Sequence, residues 1–493
     1  MQDKRSSYRQ IMKGTSLFGG VQVFKIIIAV IRSKVIAILL GPAGMGIEGL
    51  LTSTTGLISS LTNFGLGVSA VRDVAAANES GNRKIIVKII AIIRKLVWFT
   101  GILGAVITFI FASYLSQITF GNKEYTYAFI WLSCTLFFNQ LAIGHNVLLQ
   151  GMRKLKYLAK ANLVGSTISL IISLPLYFYY EINGIVPALI ISSVVSFFVA
   201  RYFAGKIDVE KSKVSFKETF IEGKEMLKMG FMLSLTGLIT VGASYIIKIF
   251  ISSYGSLDDV GLYQAGFAII FSYTGLIFTA MATDYYPKLS GIAADSKKAV
   301  LLINQQAEIG ILILAPILTI FLIFINWIVI LLYSTKFIPV NEMIHWAALG
   351  MYFKVASWAI AFILLAKGES KLFFWNELIV NIYMLSFNLL GYYFYGLEGL
   401  GVSFLVSYIL YCIQVYYLTK YKYEFSFSSQ FYKIFGIQLM LGIVCFCLMR
   451  FVVTPFWAYI LGLPIILFSW IYSYLELDKR LDIKNIIRNY KKL

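Results

Sequence analysis

The chain has 493 residues, of which 59% are hydrophobic and 14% charged, against about 45–50% and about 25% in soluble globular proteins. That balance excludes a soluble enzyme as a description of the chain and makes lipid the solvent for most of it. A formal net charge of +19 does not by itself point to nucleic acid, and no nucleic-acid partner is expected, because basic residues in a polytopic membrane protein set its orientation.

At the N-terminus, Lys4, Arg5, Arg9 and Lys13 precede an apolar stretch that reaches Leu40 without a small-residue cleavage site. It is expected to remain as a first helix rather than to be removed as a signal. Apolar runs near the length that crosses about 30 Å of hydrocarbon then recur to the C-terminal region. They predict an all-α integral membrane protein of about fourteen transmembrane helices, near 14–40, 44–70, 96–116, 127–149, 158–180, 185–203, 229–254, 261–285, 309–333, 343–366, 372–395, 399–418, 434–453 and 456–474. Most Lys and Arg residues fall in alternate connections, while the intervening turns hold only Lys123, Lys336 and Arg450. This asymmetry predicts a multi-pass protein with both termini cytoplasmic.

The segment Lys13–Gly49 lies over Lys228–Gln264 at a constant offset of 215, which pairs Lys13 with Lys228 and Gly46 with Gly261. In both copies a basic residue opens a long helix, a short turn follows, and a glycine-rich helix descends. Such internal repeats commonly frame the binding site of a transporter. The expected organisation is a six-helix bundle over 1–205, a cytoplasmic linker over 206–228, a second six-helix bundle over 229–420, helices 13 and 14 over 430–476, and a basic cytoplasmic tail over 477–493.

Charges inside apolar spans are costly and mark wet paths or paired sites. Lys25 and Arg32 lie seven residues apart, so they project from one helix face about 10 Å apart along the axis. Lys354 lies deep in the tenth span with Trp358 one turn on, where an indole offers cation–π shielding. Lys248 aligns with Ser33, beside Arg32 and Lys34, although Lys34 and Lys248 are also near enough to helix ends to snorkel. Lys25, Arg32, Lys248 and Lys354 are the expected substrate contacts. Arg32, with its bidentate fork, is the expected phosphate ligand. The intramembrane acids Glu48, Glu377 and Asp284 are candidate partners or coupling groups, with Glu48 and Glu377 the inner pair. Asn139, Asn146 and Gln150 share a helix face and suit either sugar hydroxyls or interhelical hydrogen bonds. Cys134, Cys412, Cys445 and Cys447 lack metal-ligand spacing and read as core residues. Two histidines, His145 and His345, without a carboxylate cluster predict no metal site, and no P-loop or other cofactor motif is present.

Three stretches carry a family resemblance: Leu39-Leu40-Gly41-Pro42-Ala43-Gly44-Met45-Gly46, Leu149-Gln150-Gly151-Met152-Arg153-Lys154 and Gly396-Leu397-Glu398-Gly399-Leu400-Gly401-Val402. The chain resembles Wzx-type polysaccharide flippases, or O-antigen translocases, of the multidrug/oligosaccharidyl-lipid/polysaccharide exporter superfamily. The resemblance implies two six-helix bundles around a cationic central cavity and alternating access across a bacterial inner membrane. It further implies an undecaprenyl-pyrophosphate-linked glycan as substrate, a place in lipopolysaccharide biosynthesis, H+ or Na+ coupling, and other glycan assembly proteins as partners. In some relatives helices 13 and 14 form a side groove for the prenyl tail. Two rival readings make different demands on the sequence. A drug or metabolite antiporter of the same superfamily would want buried carboxylates, and a membrane glycan polymerase or ligase would want large periplasmic loops, where this chain has short turns.

Overall fold

A computed structural model describes residues 23–207, 214–452 and 454–481. Among them, all regular structure is helical. After α1 (residues 23–39) come α2 (Gly41–Thr62), α3 (Leu66–Glu79), α4 (Arg83–Ile110), α5 (Ala112–Phe120), α6 (Thr126–Gly151), α7 (Leu155–Tyr180), α8 (Ile185–Ala204) and α9 (Phe216–Tyr254). They are followed by α10 (Leu257–Ile292), α11 (Ser296–Leu332), α12 (Asn341–Ala366), α13 (Ser370–Tyr423), α14 (Ser429–Phe451) and α15 (Pro455–Leu481). The expected spans fall largely on helix among the described residues, the first from residue 23 onward. Nine helical stretches among the described residues are long and apolar enough to cross a membrane. Two of these, Leu155–Ala204 and Lys371–Tyr423, each contain a hairpin of two helices.

Local chemistry sets the helix ends. The side chains of Asn82, Ser215, Asp295 and Ser428 accept hydrogen bonds from first-turn N–H groups of α4, α9, α11 and α14, filling valences that a helix leaves open at its start. Asp295, in the connection before α11, accepts from the Lys298 N–H, and this holds its carboxyl below the ordinary carboxylate range.

The span expected over 44–70 is broken into α2 and α3. Phe64 and Gly65 both take positive φ, and the Asn63 side chain accepts from the Gly65 N–H at 2.7 Å. The break sits where α9 passes: a Cβ on Gly65 would overlap the Gly230 carbonyl, and one on Gly230 would overlap the Phe64 carbonyl. A second break divides α13 at Gly396, whose φ of 56° and ψ of −138° suit a residue without a Cβ.

The chain divides into two compact units, Met1–Gly261 and Leu262–Leu493. In the first, α9 packs on α2, α3, α4 and α5. Residues 216–228, in the segment expected as a linker, are the opening turns of α9, and 208–213 lie outside the described residues. Leu66, Leu96, Val97 and Leu141 centre the apolar core of this unit. In the second unit α11 and α12 are the most enclosed spans, and Tyr285, Ile303, Ile360 and Val415 anchor a core drawn from α10 to α13. α15 is tied to α11 by Arg480, which donates to Glu308 at 3.0 Å and to Glu476 at 2.7 Å. Residues 482–493 of the expected tail lie outside the described residues. Outward faces carry exposed large apolar side chains such as Phe109, Ile110, Leu331 and Trp375, as lipid-facing surfaces do. Cys134, read from sequence as a core residue, is exposed on such a face.

Candidate functional site

In the first unit, α1, α2, α7 and α9 bring five of their polar side chains together. A guanidinium nitrogen of Arg32 donates to Glu48 Oε1 at 2.6 Å and to the phenol oxygen of Tyr177 at 3.0 Å. Glu48 is 9% exposed and Tyr177 fully buried. The Nε of Arg32 is buried and has no hydrogen-bond partner among the described residues. From α9, Lys248 donates to Ser53 Oγ at 2.7 Å and reaches the Gly49 carbonyl at 3.4 Å, both on α2. Two cations thus address one short stretch of α2 that carries a single carboxylate.

The electrostatic consequence follows from counting. An ion pair out of water holds together only when its remaining polar atoms are satisfied. Here two cations, Arg32 and Lys248, stand against the one carboxylate of α2: Glu48 pairs with Arg32, and Lys248 donates to Ser53 and the Gly49 carbonyl. The group presents guanidinium and ammonium donors. Guanidinium and ammonium donors of this kind suit an oxyanion.

Lys25 is half-buried on α1 and, among the described residues, makes no ion pair; Lys34 is half-buried on the same helix. Of the candidate acids Glu48, Glu377 and Asp284, Glu48 is the one that meets Arg32. Tyr177 was not anticipated: it lies in the run Tyr177-Phe178-Tyr179-Tyr180, which reads as an interfacial aromatic belt, and no local signal separates it from its neighbours. On α6, Asn139 and Gln150 are exposed, while Asn146 is half-buried with its Oδ1 unpartnered among the described residues. Gln140, on a different face, donates to Thr100 at 2.9 Å.

In the second unit the Nζ of Lys354 stands over four rings: Phe271 at 4.1 Å, Tyr408 at 5.3 Å, Phe278 at 5.6 Å and Phe404 at 5.9 Å from the centroids. The expected shield, Trp358, instead packs on Phe278, Tyr285 and Phe362. The reason is geometric: α10 and α13 close over Lys354 with their own rings, while a residue one turn along α12 faces Tyr285. No carboxylate pairs with Lys354 among the described residues. Glu377 on α13 accepts from Tyr411 at 2.8 Å and from Asn376 at 3.4 Å, and Asn376 accepts in turn from Gln414 at 2.8 Å. The side chain of Asp284 lies outside the description. Among the described residues no group of three His, Cys, Asp or Glu side chains is placed to hold a metal.

Fold and site together define a class, a polytopic all-α membrane transporter with positive charge inside its spans. The chain matches the family described as "Polysaccharide biosynthesis protein" over residues 11–293, more than half its length, and belongs to that family. It is 22% identical over 395 residues to the lipid III flippase of Escherichia coli K12, covering 77% of this chain and 90% of that protein. Among solved structures it is similar to the lipid II flippase MurJ in an inward closed conformation, with a TM-score of 0.75 and 15% identity, over 94% of this chain and 99% of that one. It is also similar to an inward-facing MATE-family multidrug resistance transporter of the MOP superfamily, with a TM-score of 0.64 and 14% identity, over 82% of this chain and 94% of that one.

Proposed function

We propose that the protein is a flippase that moves a polyprenyl-pyrophosphate-linked oligosaccharide, with undecaprenyl as the lipid, from the cytoplasmic to the periplasmic leaflet of a bacterial inner membrane by alternating access. The observation that carries the reading is the excess of cations over acids inside the spans. Arg32 pairs with Glu48 and Lys248 donates to Ser53 on the same helix, and Lys354 is held by aromatic rings alone among the described residues. A pyrophosphate at the junction of lipid and sugar is the anion that such residues suit. In this reading Lys25, Arg32, Lys248 and Lys354 bind phosphate and glycan, with Lys34, Asn139, Asn146 and Gln150 as further polar contacts. The flippases among its relatives support the class of substrate, and an O-antigen repeat for lipopolysaccharide is the proposed cargo. Both termini are proposed to face the cytoplasm, on the distribution of Lys and Arg. Coupling to H+ or Na+ is assigned to Glu377. The Asp284 carboxyl, whose side chain is not described, is the second candidate.

A drug antiporter on the same fold would need a carboxylate free to meet an organic cation. Glu48, the acid nearest the α1 cations, is already engaged by Arg32, and Glu377, which meets no cation among the described residues, is held by Tyr411 and Asn376.

The test is export of surface glycan in cells deleted for the protein, with the lipid-linked precursor measured on each leaflet. The reading requires precursor to accumulate on the cytoplasmic side, wild-type protein to clear it, and Arg32→Ala to fail. Normal glycan export in the deletion strain would overturn it.

A further inference from the structure

The helices of the first unit enclose a second basic site, apart from Arg32 and Lys248. A cavity of about 490 Å³ opens among α3, α4, α6 and α8. Its wall is mostly aliphatic, yet it includes Arg94 of α4, Arg201 of α8 and His145 of α6, together with Trp98 and Phe197. Two of its three polar members, His145 and Arg201, gather on one ring. His145 lies 5.7 Å from Phe197, centroid to centroid, and the guanidinium carbon of Arg201 lies 6.0 Å from the same centroid. No acidic side chain lines the cavity, and among the described residues neither arginine makes an ion pair.

The height of the cavity along the helices narrows the choice of ligand. Arg94 comes just before the span expected to begin at 96, His145 just before the one expected to end at 149, and Arg201 just before the one expected to end at 203. All three therefore stand at one membrane boundary, at the end of the unit where Arg83, Lys84, Lys88, Arg153, Lys154, Lys156 and Lys206 also cluster along the chain. At that depth a ligand meets water or headgroups on one side and hydrocarbon on the other. Two guanidinium forks at the polar end match the oxygens of a phosphate, and an aliphatic wall behind them matches a chain attached to it. Basic pockets between transmembrane helices on the cytoplasmic side are where acidic lipid headgroups bind.

We propose that this cavity binds the phosphate of an anionic phospholipid, with Arg94 and Arg201 holding the phosphate oxygens, His145 at its edge, and the start of an acyl chain against Trp98 and the aliphatic wall. The site is separate from the translocation residues and does not depend on the identity of the cargo.

The experiment uses the full-length protein purified in mild detergent and supplied with phosphatidylglycerol, with phosphatidylcholine, or with inorganic phosphate, bound molecules being counted by native mass spectrometry. Retention of phosphatidylglycerol in preference to phosphatidylcholine, with a fall of roughly tenfold or more in Arg94→Gln/Arg201→Gln, is the expected result. Arg94→Lys/Arg201→Lys keeps the charge, removes the fork, and should fall in between. Equal retention of the two lipids overturns the proposal. So does retention of inorganic phosphate with no lipid, or loss of none in the Gln pair. If the Gln pair does not fold, the comparison of lipids on the wild-type protein still decides. Because the readout is lipid retention rather than glycan export, the outcome is independent of the flippase reading.

Discussion

Gly46 of α2 and Gly261 of α10 face each other across the repeat that pairs them in sequence. A Cβ on Gly46 would overlap the Leu257 carbonyl and come within 3.1 Å of the Gly261 nitrogen. A Cβ on Gly261 would overlap the Pro42 carbonyl and come within 3.0 Å of the Gly46 nitrogen. Pro42 and Leu257 are themselves 215 residues apart, so the contact is reciprocal. The ends of α1 and α9, at residues 39 and 254, obey the same offset.

Adding one methyl group here tests that relation. Gly46→Ala must push two backbones apart, and overpacking of this kind costs about 1–3 kcal/mol. We expect Gly46→Ala and Gly261→Ala each to lower the thermal unfolding midpoint of the purified protein. Gly56, around which nothing lies within 4 Å of an added Cβ, should accept alanine without loss. Equal midpoints for all three variants would show that the close approach has no energetic weight.

For the Arg32–Glu48 pair, stability and transport make separable demands. Removing Arg32 alone leaves a buried carboxylate without its cation, a change that costs about 3–5 kcal/mol in buried pairs. Replacing both partners with methionine removes both charges and should recover most of that stability. We expect Arg32→Ala to lose both thermal stability and glycan export, and Arg32→Met/Glu48→Met to regain stability while export stays lost. Export by the double variant at the wild-type level would make the pair structural only.

The cage around Lys354 gives a third test. An ammonium desolvated against aromatic faces gains about 2 kcal/mol or more from them, and methionine fits the same rings without charge. Lys354→Met should therefore unfold near the wild-type temperature, yet reduce glycan export by tenfold or more if the ammonium meets the substrate phosphate. Unchanged export would assign Lys354 to packing.

The spans were legible because a run of apolar residues is a local signal, and the inner cations were legible because charge in such a run is conspicuous. What these cations touch was legible only where few partners were available. Glu48 was one of two inner acids, and it is the partner of Arg32. The rings around Lys354 come from α10 and α13, 76 to 83 residues before it and 50 to 54 after it, and no periodicity within α12 reports them. The break at Gly65 escaped for a related reason: the glycine is needed because Gly230 passes against it, a contact set by tertiary packing. The spacing of Asn139 and Gln150 puts them on one helical face, but position on a helix does not say whether that face meets a cavity or the outside, and here both residues are exposed.

Glu377 is the acid to test for coupling. Its carboxylate accepts from Tyr411 and Asn376, and among the described residues it has no cation beside it, whereas Glu48 is neutralised by Arg32 and Glu308 by Arg480. A carboxyl held by neutral donors in a span can take and release a proton, or admit a sodium ion, without first breaking an ion pair. Glu377→Gln keeps the shape and the acceptor for Tyr411 but removes the titrating group. In proteoliposomes with an imposed proton or sodium gradient, we expect wild-type protein to flip lipid-linked glycan faster than without the gradient, and Glu377→Gln to flip at the ungraded rate whichever way the gradient runs. A variant that still answers the gradient as the wild type does would leave Glu377 as an acceptor that fixes Tyr411 and move coupling to another residue.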